Sequence, residues 1–199
     1  MSASLLVFHL FFLCSTFEAK FEIQTTNKED IRALELSQKL LRDLKENKDW
    51  QTAQQRLENI SYEELKASLK SNEELLAFWI NTYNSYIQIQ LKKNPKLYQD
   101  RGDFFSEESI SIAGILLSFD DIEHSILRKA EWKYGFGYIK NPFISDKIEN
   151  LQVKETDQRI HFALNCGAKS CPKIAIYSDK NLDEELNTNA KAFLKDNSS

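Results

Sequence analysis

The chain has 199 residues, of which 28% are charged and 42% hydrophobic, with 5 Gly and 3 Pro. That balance excludes disordered, collagen-like and disulfide-scaffold proteins and leaves a globular domain long enough to bury a core. Lys and Arg number 26 against 30 Asp and Glu, a net charge of -4, and no basic run stands out that could track phosphates, so nucleic acid is excluded as a partner class.

Leu5 to Cys14 reads LLVFHLFFLC, an apolar run too short to span a bilayer and of the length of an export-signal core. It predicts a signal peptide over residues 1–19, cleaved after Ala19, and an exported, periplasmic or secreted domain with no stable membrane span once the signal is removed. Lipidation at Cys14 ranks second, because bulky Leu13 stands where such sites take a small side chain. The mature chain then keeps two of three Cys, Cys166 and Cys171, and two of three His, His124 and His161.

All five glycines fall after residue 100, so the front half lacks breakers and residues 20–70 are predicted as a helical region. Asn27 with Asp30 opens a helix carrying Ile31, Leu34, Leu41 and Leu44 inward. Ser61 with Glu64, and Ser71 with Glu74, match the capping-box spacing. Leu75 to Leu91 is apolar on most sides and predicts a central, buried helix around Trp79. After Asn94-Pro95 the chain turns irregular. Ser109–Ala113 alternates as a strand, and Ser118 with Asp121 starts a helix running to about Ala130. Arg159–Asn165 alternates cleanly and predicts a half-buried strand. A last helix covers Leu182 to Leu194, and residues 195–199 form a frayed tail. The sum is a helix-rich α+β single domain with a small β-sheet.

Three stretches carry chemistry. In FWINTYN, Asn81, Asn84, Ser85 and Gln88 share one stripe of an apolar helix, where buried amides must find partners. They either hold neighbouring backbone or line a polar pocket. In SFDDIEHSILR, helical spacing puts His124 one turn from Asp120 and from Arg128, so a carboxylate can hold the imidazole in one tautomer. In RIHFALNCGAKSCPK, a loop after the predicted strand holds both mature cysteines. Pro172 suits the first position of a helical turn, which would place Cys171 at its N-terminus beside Lys169 and Lys173 and favour a thiolate. Gly167 equally lets Cys166 return to Cys171 as a loop disulfide.

The blocks LLAFWINTYN, FDDIEHSILR and RIHFALNCGAKSCP, in this order and at these separations, resemble the three signatures of the domain-of-unknown-function 547 family, over a core of residues 71–194. The matching positions include Trp79, Asn81, Tyr83, Asn84, Glu123, His124 and Arg128, then His161, Cys166, Gly167, Ser170, Cys171 and Pro172. The resemblance implies frequent export among bacterial members and brings no firmly assigned reaction. Family members usually continue past the last helix with an aromatic-rich segment, whereas this chain stops at Ser199.

Two functions follow. In the first, a thiol hydrolase or acyl-transfer enzyme, Cys171 is the nucleophile, His124 or His161 its base, and Asn81 or Asn84 orients the His or donates to an oxyanion, all lining one pocket. Glu123, Arg128, Tyr83 and Ser170 are then binding residues. In the second, the same blocks form a non-catalytic binding domain for a peptide, glycan or envelope component, with Cys166 and Cys171 as a staple. Neither takes a cofactor. A zinc site from Cys166, Cys171, His124 and His161 has the right ligand types without the local His pairing of zinc motifs, so no metal is assigned.

Overall fold

The structure is a computed structural model that describes residues 32–129, 145–168 and 170–196. The predicted export signal and the helix opening at Asn27 lie outside these residues. Four helices come first: α1 (Ala33–Lys45), α2 (Gln51–Asn59), α3 (Tyr62–Ser68) and α4 (Asn72–Lys93). α1 buries Leu34, Leu41 and Leu44 and packs along α4. Both capping boxes form, with Ser61 and Ser71 each accepting from the backbone N–H of the Glu three residues on, whose carboxylate accepts in return. Each such cap is worth about 1 kcal/mol.

α4 is the axis of the core. Glu73 and Glu74 occupy its first turn and Lys92 and Lys93 its last, the order the helix dipole favours. Phe78, Trp79, Ile80 and Tyr83 are at most 1% exposed, and the Trp79 indole N–H donates to the Leu151 carbonyl at 3.1 Å. The helix stops at Asn94-Pro95, where Pro95 lacks the N–H to continue the ladder. Asn94 caps a 3₁₀ turn over Pro95–Gln99 instead.

After α5 (Arg101–Ser106) come β1 (Ile110–Ile112) and β2 (Ile115–Leu117), an antiparallel pair with Ile110 opposite Leu117. β1 lies inside the predicted strand, and β2 is a partner that the pattern did not mark. The turn residues Ala113 and Gly114 have φ of 53° and 70°, the mirror-image turn that matches strand twist. Their N–H groups donate to Leu57 and Glu58 at the end of α2, at 2.9 and 3.3 Å. Two further helices, α6 (Asp146–Glu149) and α7 (Leu182–Asp196), complete a helix-rich α+β domain with a small two-stranded sheet. α7 runs on to Asp196, whose carboxylate pairs with Lys173 at 2.8 Å.

The alternation over Arg159–Asn165 does not make a strand. Gln158–Phe162 winds as a 3₁₀ turn, and no helical turn follows Pro172. A period of two yields a strand only where a second strand offers a ladder, and here buried amides take that place. Asn84 Nδ2 donates to the Ala163 carbonyl at 2.9 Å and its Oδ1 accepts from the Asn165 N–H at 2.9 Å. Asn81 brackets Tyr177 in the same way, at 2.8 and 2.9 Å. Asn189 of α7 donates to the carbonyls of Phe162 and Lys173, at 2.6 and 3.2 Å. Three asparagines thus satisfy backbone groups that could not otherwise stay buried.

Candidate functional site

The helix expected from Ser118 forms and is capped reciprocally. The Asp121 N–H donates to Ser118 Oγ at 3.0 Å, and the Ser118 N–H donates to Asp121 Oδ2 at 2.9 Å. Over Asp121–Leu127 it winds as a π-helix, in which residues five apart stack. The Arg128 N–H accordingly bonds the Glu123 carbonyl at 3.1 Å. The side chains follow: Arg128 Nη2 donates to Glu123 Oε1 at 2.8 Å and meets His161 Nδ1 at 3.2 Å. A guanidinium only donates, so His161 Nδ1 accepts and its proton sits on Nε2. Burial, then the Arg128 cation, lower the His161 pKa, with Glu123 opposing. The Arg128 side chain is thus engaged by Glu123 and His161, and no bond from it to His124 is found among the described residues. His124 Nε2 lies 3.7 Å from Asp120 Oδ1 on a half-exposed surface.

Cys166 and Cys171 are joined as a disulfide. The Cys166 N–H donates to Cys171 Sγ at 3.2 Å, and the Asn165 side chain ties the loop by accepting from the Gly167 N–H at 2.9 Å and donating to the Pro172 carbonyl at 2.7 Å. Gly167 has φ of 86°, and a Cβ there would stand 2.7 Å from Leu91 Cδ1, so only glycine fits this turn. With no helix after Pro172, the helix-terminus argument for a Cys171 thiolate is overturned. Lys173 is engaged with Asp196.

The two cysteines line different depressions. Cys166 lines a cavity of about 630 Å³ with Tyr83, Arg101, Phe105, Asp120 and Glu123. Cys171 lines a groove of about 250 Å³ with Ser170, Pro172, Lys173, Asn189 and Phe193. Neither imidazole lines either depression. Asn81 and Asn84 are fully buried, and both ends of each amide are held by backbone. The structure therefore gathers Tyr83, Glu123 and Cys166 at one cavity, joins Arg128 and His161 behind Glu123, and leaves Cys171 and Ser170 on another face.

Tyr83 is 1% exposed, and its ring packs edge-on against Phe119, centroids 5.3 Å apart. Burial foremost, then the charges of Glu123 and Asp120, push its phenol pKa far up, so the hydroxyl is neutral at any physiological pH. Arg101 and Phe105 escaped sequence reasoning because the chain reads as irregular after Pro95, where the structure instead has a 3₁₀ turn and α5. The run Arg101-Gly102-Asp103-Phe104-Phe105, with two adjacent aromatics beside a cation, was the available signal. Among the described residues no group of three or more His, Cys, Asp or Glu is placed to hold a metal ion, and no helix is long and apolar enough to cross a membrane.

The family described as "Protein of unknown function, DUF547" matches residues 66–194, most of the chain, and the chain belongs to it. No curated protein and no solved structure matches the chain.

Proposed function

We propose that this DUF547 domain is an exported binding module for a peptide, glycan or envelope component, with the Cys166–Cys171 loop serving as a staple beside the cavity on α4. The observation that carries the reading is the state of Cys171. Its sulfur is bonded to Cys166, so no thiolate is available to attack an acyl carbon. The amides that an acyl-transfer mechanism would turn toward an oxyanion already hold the backbone of Ala163, Asn165 and Tyr177. A disulfide also fits the oxidising compartment to which the N-terminal apolar run points. A cavity of about 630 Å³ is within the range in which small ligands and peptide ends bind.

Native alkylation with iodoacetamide, followed by peptide mapping, tests the reading. Cys166 and Cys171 should stay unlabelled until the protein is reduced and should then label together. Rapid labelling of Cys171 alone at neutral pH, in protein never exposed to reductant, would overturn it. The thiol hydrolase, with Cys171 as nucleophile and His124 or His161 as base, would take its place.

A further inference from the structure

The cavity on α4 holds polar groups that the staple does not use. Most buried polar side chains of α4 are spoken for: Asn81 and Asn84 hold backbone, the Ser85 hydroxyl donates to the Asn81 carbonyl at 2.7 Å, and the Tyr86 hydroxyl donates to the Ser111 carbonyl at 3.1 Å. The Tyr83 hydroxyl lines the cavity and makes no hydrogen bond among the described residues. Thr82 Oγ1 is the α4 side-chain atom that is buried without a partner among the described residues; the Tyr83 hydroxyl is not such an orphan, since Tyr83 lines the cavity, and it is open to whatever enters there.

The charges on the same wall are separated. Asp120 and Glu123 come from the helix after β2, and one oxygen of Glu123 is taken by Arg128. Arg101 comes from α5, its guanidinium 5.0 Å from the Tyr98 ring centroid and 6.0 Å from that of Phe105. It lines the cavity with both carboxylates yet forms no ion pair with either. Stacking on two rings holds the cation in place while its N–H edge stays open. A cavity offering two carboxylates, a neutral hydroxyl and a guanidinium that pairs with neither carboxylate among the described residues is complementary to a molecule carrying both charges.

We propose that this cavity binds a zwitterion of amino-acid or short-peptide type. The ammonium group donates to Asp120, Glu123 and the Tyr83 hydroxyl, the carboxylate accepts from Arg101, and Phe105 covers the carbon skeleton between them. This names the ligand class of the binding reading above and rests on it.

Isothermal titration of the full chain with alanyl-alanine, its N-acetyl form, its C-terminal amide, alanine and chitobiose tests the assignment. Alanyl-alanine should bind saturably, and capping either end should weaken it by about tenfold or more, the scale of one charge-assisted hydrogen bond. Arg101→Gln should reproduce the loss for the free acid and leave the amide within about twofold, because the amide offers no carboxylate to lose. Asp120→Asn should do the same for the amino end, with the acetylated form unaffected. Alanine against alanyl-alanine separates a free amino acid from a peptide end as the source. Equal binding of the free and capped dipeptides, or no dipeptide binding, overturns the zwitterion assignment. In those cases chitobiose binding, or an unlabelled cystine, leaves the broader binding reading standing, whereas Cys171 labelling without reductant removes both. Unchanged unfolding midpoints of Arg101→Gln and Asp120→Asn establish that any loss belongs to the cavity.

Discussion

Along one helix the protein treats buried polar groups in two opposite ways. Asn81 and Asn84 face the back-half loops and have every amide atom engaged, each holding a backbone donor and a backbone acceptor. Tyr83 lies between them in sequence and faces the cavity, with its hydroxyl free among the described residues. A fully satisfied polar group in a core is architecture, since its removal strands its partners. An unsatisfied one at a cavity wall is held there by the packing around it and is open to a ligand.

Mutations on the two sides of this contrast should differ in kind. The largest effect belongs to the packing that supports both. Trp79→Ala should cost about 3–5 kcal/mol, as truncation of a buried aromatic does, read as the shift of the urea unfolding midpoint. A near-neutral result would remove α4 from the centre of the core. Asn84→Ala comes next. It leaves the Ala163 carbonyl and the Asn165 N–H unpaired, and the penalty for stranding buried groups puts the loss at about 2–3 kcal/mol. Faster hydrogen exchange at Asn165 should accompany it. Unaltered exchange there would mean that the loop does not depend on the brace.

A smaller effect falls between the two sides, at His161. Its folded pKa is lowered by burial and by Arg128, so the unfolded chain takes up the proton first as pH falls, and stability drops below the ordinary imidazole value of about 6.5. Above that value the group contributes no pH dependence. Thermal unfolding of the wild type and of His161→Gln at about pH 7.5 and about pH 5.5 should show a smaller acid loss in the variant. Parallel losses would refute the linkage. The smallest stability effect belongs to Tyr83→Phe, which removes a hydroxyl that has no partner and should shift unfolding by less than about 0.5 kcal/mol. The same change should weaken dipeptide binding. Loss of stability comparable to that of Asn84→Ala would place Tyr83 on the architectural side and erase the contrast.

Helix termini and the hairpin strand were legible because their signals are local. The serines that cap α3 and α4 find their glutamates three residues away whatever the rest of the chain does, and the stretch from Leu75 to Leu91, apolar on most sides and free of Gly and Pro, reads as a buried helix. The amide stripe was legible too, as residues that needed partners, though not which partners. The three signature blocks placed the chain in its family before any coordinate was known.

What the tertiary structure alone decided depends on contacts between segments distant in the chain. Alternation over Arg159–Asn165 reads as a strand until Asn84 and Asn189 arrive from two helices to satisfy the backbone instead. Helical spacing set Arg128 one turn from His124, but it could not show that the Arg128 side chain bonds Glu123 and reaches His161 of a distant segment. Cys171 read as the nucleophile until the fold joined it to Cys166 and set the two residues at different depressions, Cys166 beside Tyr83 and Cys171 beside α7. The common reason is that capping and periodicity are set within one or two turns of chain, whereas a site is made by side chains that meet only after the core has brought their elements together.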